Sequence, residues 1–159
     1  MKIYKTFGER LSEHTCLFCG APLTDRDRCN YCGSQYIHYN EFKNLTNSPS
    51  ILEIEAFTIE VSVSNDSYGV FCDNIQEVII TCSDGYYKIL QDLLYYNLKN
   101  LGTIKKIDIL LNYRIKGSTK EFKLFLNNSI IQSLQKKLKE GSCLIEVALV
   151  YDQFFISKE

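Results

Sequence analysis

Four of the seven cysteines fall between residues 16 and 32, in the stretch CLFCGAPLTDRDRCNYCG. Cys16, Cys19, Cys29 and Cys32 form C-x2-C-x9-C-x2-C. A Cys-x-x-Cys turn presents two thiolates from one tight loop, and two such loops facing each other complete a tetrahedral sulfur shell with metal–sulfur distances of about 2.3 Å. Gly20 and Gly33 directly follow the second cysteine of each pair, where the chain turns sharply and a residue without Cβ adopts positive φ freely. The spacer GAPLTDRDR carries Pro22 and a polar run, the composition of a short loop between two hairpin arms. These residues predict one structural Zn2+ held by Cys16, Cys19, Cys29 and Cys32. A shell of four thiolates leaves no position for a reacting water, so the metal holds a fold together and does no chemistry.

Two other uses of the thiols fit less well. A thioredoxin-like redox site places a single Cys-x-x-Cys at the start of a helix after a strand, and neither pair has that context. Iron is accepted by the same tetrahedral sulfur set. The residues CLFCGAPL and CNYCGS resemble the short four-cysteine zinc ribbons of the rubredoxin-knuckle type. The resemblance covers residues 14–38. It implies a minimal ribbon and leaves function open, since such ribbons bind nucleic acid, dock proteins or stabilise chain ends. His14 and His38 flank the ribbon and read as surface or packing residues, because the thiols already fill the shell. Phe18 and Tyr31 in the knuckles, with Tyr36 and Tyr39 just beyond, are the candidate partner-binding aromatics. They suit seating on protein better than stacking on bases, because the ribbon segment carries little charge.

Residues 1–10 show no apolar leader, and no window reaches the roughly 18 uninterrupted apolar residues of a membrane helix. With an odd number of cysteines, this predicts a cytoplasmic protein whose thiols stay reduced. Net charge is −1, but the charge is polarised along the chain. Five bases face four acids over 1–40, three face nine over 41–103, nine face three over 104–140, and one faces three over 141–159.

The organisation expected is a zinc ribbon at 1–40, a linker at 41–50 and an α+β domain at 51–159. In ILEIEAFTIEVSVS the apolar residues switch from even to odd positions near Ala56. One continuous strand cannot do this without exposing half of them, so a bulge or break is predicted there. YGVFC (68–72) and EVIITC (77–82) read as further strands. Ser83 or Asp84 caps a helix running to about Asn100, with Ile89, Leu90, Leu93 and Leu94 inward. Ile107, Ile109, Leu111, Tyr113 and Ile115 alternate on one strand face, and KEFKLFL follows after a turn. Asn128 or Ser129 then caps a second predicted helix, with Ile130, Ile131, Leu134 and Leu138 inward and Gly141 closing it. CLIEVALVYDQFF is a last, central strand. The order is βββα ββα β, an antiparallel or mixed sheet with two helices on one face. The units 77–102 and 120–141 resemble each other loosely, as an internal duplication would.

Residues 41–159 contain no histidine, no phosphate-binding glycine loop and no dinucleotide fingerprint, which removes the commonest bases and triads. Cys72, Cys82 and Cys143 lie among apolar neighbours and read as core. Asp66, Asp73, Asp84 and Asp92 sit at turns and caps, which already explains them. The expectation is therefore a non-enzymatic binding protein, a zinc-stabilised protein-interaction adaptor or regulator with another protein as its partner. A small ribbon protein of this make-up also suits a phage or mobile-element factor acting on a host machine. The alternative partner is DNA or RNA, bound by Lys105, Lys106, Arg114, Lys116, Lys120, Lys123, Lys136, Lys137 and Lys139 with the ribbon aromatics. No membrane or small-molecule substrate is expected.

Overall fold

The computed structural model describes residues 2–6, 35–64, 77–114 and 121–158. They form an α+β fold with eight strands in one mixed sheet and two helices. In chain order these are β1 (Lys2–Thr6), β2 (Gln35–His38), α1 (Tyr39–Leu45), β3 (Leu52–Ser64), β4 (Glu77–Ser83), α2 (Tyr87–Lys99), β5 (Ile107–Arg114), β6 (Glu121–Lys139), β7 (Ser142–Val150) and β8 (Gln153–Lys158). None of the helices among the described residues is long and apolar enough to cross a membrane.

Five of the strands close on themselves. β3 pairs with β4, β4 with β7, β7 with β6, β6 with β5, and β5 returns to β3. Only the β3–β5 pairing in this ring is parallel. Ala56 is the seam, paired with Cys82 on β4 and with Tyr113 on β5. The inward residues of all five strands meet in one core: Ile54, Ile59, Ile80, Leu111, Leu124, Val147 and Leu149 are among those with 0% exposure. Each such aliphatic side chain stabilises the fold by about 1.5–3 kcal/mol relative to an exposed one. β1 extends the sheet from β3, and β8 followed by the parallel strand β2 extends it from β6.

The predicted irregularity at Ala56 is present. The β3–β4 register shifts between Ala56 and Thr58, so Phe57 is the extra residue and lies 53% exposed. The bulge rotates the strand so that even positions before it and odd positions after it face the same core.

The second predicted helix is corrected. Residues 129–139 continue β6 as a strand, paired with β7 around Glu140 and Gly141. Both turn residues have positive φ, 53° and 78°, as the two-residue hairpin turn that matches strand twist requires. The misleading signal has a physical cause. A bulge between Ile131 and Ser133 turns what would be i, i+2 spacing into i, i+3, so Ile131 and Leu134 share a face as they would on a helix. Leu138, expected inward, is 83% exposed near the hairpin tip. The register carries on past β7: Ile130 faces Val150 and Asn127 faces Gln153. β6 and β7–β8 are therefore one long hairpin, interrupted at Tyr151–Asp152. The expected single last strand is thus two, and its first half is central, between β4 and β6.

α2 matches its expected position. The Ser83 hydroxyl accepts the Gly85 N–H at 3.2 Å to start a single 3-10 turn, and α2 follows. Leu90 is fully buried and Leu93 and Leu94 pack on the barrel core, whereas Ile89, expected inward, is 48% exposed. Asn97 grips the chain beyond the helix, accepting the Lys105 N–H at 2.8 Å and donating to the Lys105 carbonyl at 3.2 Å.

The stretch read as a linker contains most of α1, whose Phe42 is 1% exposed. Phe42 packs with Leu110, Phe125 and Phe155 in a second apolar cluster, separate from the barrel core. The two helices therefore serve different cores and do not share one face. The predicted strand 68–72 and the predicted turn at 117–119 lie outside the described residues.

Candidate functional site

Cys16, Cys19, Cys29 and Cys32 lie outside the described residues, as do Phe18, Tyr31, His14, Lys116 and Lys120. Residue 6 ends β1, paired on β3, and residue 35 begins β2, paired on β8. In sequence the cysteine segment lies between two strands of the same sheet. His38 is exposed at the junction of β2 and α1. Among the described residues there is no group of three or more His, Cys, Asp or Glu side chains able to hold a metal ion.

The two described aromatic candidates diverge. Tyr36 points into the barrel core at 8% exposure, so its ring packs against the protein's own sheet and is not offered to a partner. Tyr39 on α1 is 49% exposed, with the Lys43 ammonium 5.2 Å from its ring centre. This aromatic does face solvent.

The seven basic candidates among the described residues lie on different elements. Arg114 meets Glu121 at 3.4 Å at the end of the β5–β6 pair, an exposed contact worth about 0–1 kcal/mol. Lys123 donates to Asn112 at 3.1 Å, and Asn112 donates to Glu53 at 2.6 Å. These three side chains form a polar ladder across β6, β5 and β3. Lys137 pairs with Glu146 at 2.7 Å on the hairpin. Lys136, on the other face of β6, lies 4.3 Å from the ring centre of Tyr87 at the start of α2. Lys105 sits 6.0 Å from the Tyr96 ring near the end of that helix. Lys106 and Lys139 are exposed at opposite ends of this region. Among the described residues of this stretch, the basic side chains are divided between the segment before β5, β5 and β6, and two of the seven, Arg114 and Lys137, are in ion pairs.

Three clefts lie among the described residues. One of about 490 Å3 is lined by Glu55, Phe57, Asn112, Arg114 and Glu121. A second, of about 420 Å3, lies between Tyr39 and Lys43 of α1 and the sheet residues Glu53 and Lys123. The third is apolar, about 500 Å3, between Ile89, Leu93 and Tyr96 of α2 and Leu52 and Ile107 of the strands. The polar ladder and the α2 aromatics were not singled out from the sequence. Outward alternation on β3, β5 and β6 was the available signal for the first, and Tyr95–Tyr96 beside the inward leucines for the second.

Of the three cysteines expected in the core, Cys82 is fully buried and desolvation pushes its thiol up to about 12. Cys143, expected in the core, is exposed on β7 near the hairpin tip, and Cys72 lies outside the described residues. Alkylation of the native protein at pH 8, read by peptide mass mapping, should label Cys143 readily. Cys82 should react only after unfolding, because the thiolate is the nucleophile; equal labelling of both would contradict the buried placement. Asp84 and Asp92 are exposed at the start and middle of the α2 region, while Asp66 and Asp73 lie outside the described residues.

The chain matches no protein-family model, no curated protein and no solved structure.

Proposed function

We propose that this chain is a zinc-stabilised binding protein without catalytic activity, an adaptor or regulator that docks on another protein. The observation that carries the reading is the donor set of Cys16, Cys19, Cys29 and Cys32, in a segment that lies in sequence between two strands of the same sheet. Four thiolates at this spacing fit one Zn2+ by number and softness. A short segment that lacks the length for its own core gains its stability from such a metal. The residues assigned to docking are Phe18 and Tyr31 of the Cys-x-x-Cys stretches and Tyr39, which is exposed on α1.

Dispersal of the basic residues favours a protein partner over nucleic acid. A tagged chain recovered from native lysate should bring down a protein that survives nuclease treatment and about 0.3 M salt, a concentration that strongly weakens phosphate-dominated binding. Loss of all recovered material on nuclease treatment would instead assign the partner to DNA or RNA.

A further inference from the structure

Among the described residues, ten large apolar side chains are exposed, and six of them lie on α2 and the loop after it: Ile89, Tyr95, Tyr96, Leu98, Leu101 and Ile104. Scattered singly, such residues need no explanation, but Ile89, Tyr95 and Tyr96 lie together on the outward side of α2, and a contiguous apolar group marks a contact surface. At about 3.6 residues per turn, Ile89, Asp92, Tyr96 and Lys99 fall along one outward stripe of α2, with Lys88 and Tyr95 beside them. Asp92 and Lys99 are exposed and stand seven residues apart with the tyrosines between them.

A stripe with an acid at one end, a base at the other and aromatics in the middle is complementary to itself when reversed. A two-fold axis between Tyr95 and Tyr96 sets Asp92 of each copy opposite Lys99 of the other, and Tyr95 opposite Tyr96. The ion pair and the ring contact then each form twice, as an isologous interface demands. A stripe of one charge sign would repel its own copy. We infer that α2 is a homodimer interface, with a second copy of this chain as the occupant of its exposed face. One helix pair with its adjoining loop lies at the small end of specific interfaces, below about 1,200 Å2 in total, so association is weak.

The inference is independent of zinc and of the adaptor reading. Sedimentation equilibrium of the full chain from about 10 to 500 µM, bracketing a weak dissociation constant, should show a monomer–dimer equilibrium. Asp92→Lys and Lys99→Asp should each weaken it at least about tenfold, as expected for two like-charge contacts per dimer. Mixing the two variants should restore it, because each heterodimer then carries two opposite-charge pairs. Circular dichroism confirms that both variants fold, as exposed positions should. A wild-type chain that stays monomeric, charge variants that dimerise unchanged, or a mixture that fails to recover would each overturn the proposal.

Discussion

Replacing Phe42 with alanine should destabilise the fold by about 3–5 kcal/mol, the usual range for truncating a buried phenylalanine. α1 has seven residues, and Phe42 alone among them is buried. A helix this short has no stability of its own in water, so its position depends on that one ring seated against Leu110, Phe125 and Phe155. Without it the helix should detach and leave those three side chains to solvent. Urea unfolding would show the midpoint falling sharply. Leu45→Ala, on the same helix but 46% exposed, should change stability by less than about 0.5 kcal/mol. A Phe42→Ala loss of under about 1 kcal/mol would mean that α1 is not held by this contact.

The second large effect concerns the cysteines. Purified under reducing conditions, the chain should carry one zinc ion, and Cys16→Ser or Cys29→Ser should reduce that to near zero, read by elemental analysis or a chromogenic chelator. Binding of a structural metal is folding free energy for the segment that holds it. Metal removal should therefore raise amide exchange in β1 and β2, which flank the insertion, while the five-strand ring keeps its protection. Retention of zinc in both variants would sink the four-thiolate assignment. Uniform loss of protection through the ring would make the ribbon a brace for the whole molecule, not an element presented by it.

The sequence was informative wherever pattern and burial agree. The parity switch at Ala56 announced a bulge, and α2 could be placed from Ser83 and its leucines. The C-terminal half of β6 could not be read correctly, because its bulge gives Ile131 and Leu134 helical spacing and its lysine-rich end favours helix by propensity. Pairing with β7 and cover from α2 decide that region, and both are tertiary. α1 was hidden for the opposite reason: one buried phenylalanine in a polar stretch leaves no periodicity to detect. Closure of the ring was likewise invisible, since it depends on the parallel pairing of β3 with β5, elements separated by β4 and α2. At the candidate site, the cysteine spacing is legible in sequence because a four-thiolate shell would be set by local spacing alone. The scattering of the lysines is not, because it depends on which strand edge and face each one reaches.

The long β6–β7–β8 hairpin bears on how the molecule assembles. Its arms meet around a two-residue turn, so its contacts close with little loop entropy and form early. β4, β5 and β2 all pair directly on it, and β3 joins through β4 and β5. Yet this hairpin leaves the ribosome after every other described strand. The earlier strands must therefore wait without their template, and the barrel closes only after translation has passed residue 150, the end of β7. Apolar strands such as β3 and β4 are exposed during that interval, which makes nascent-chain protection a requirement of this topology and not an accident of expression.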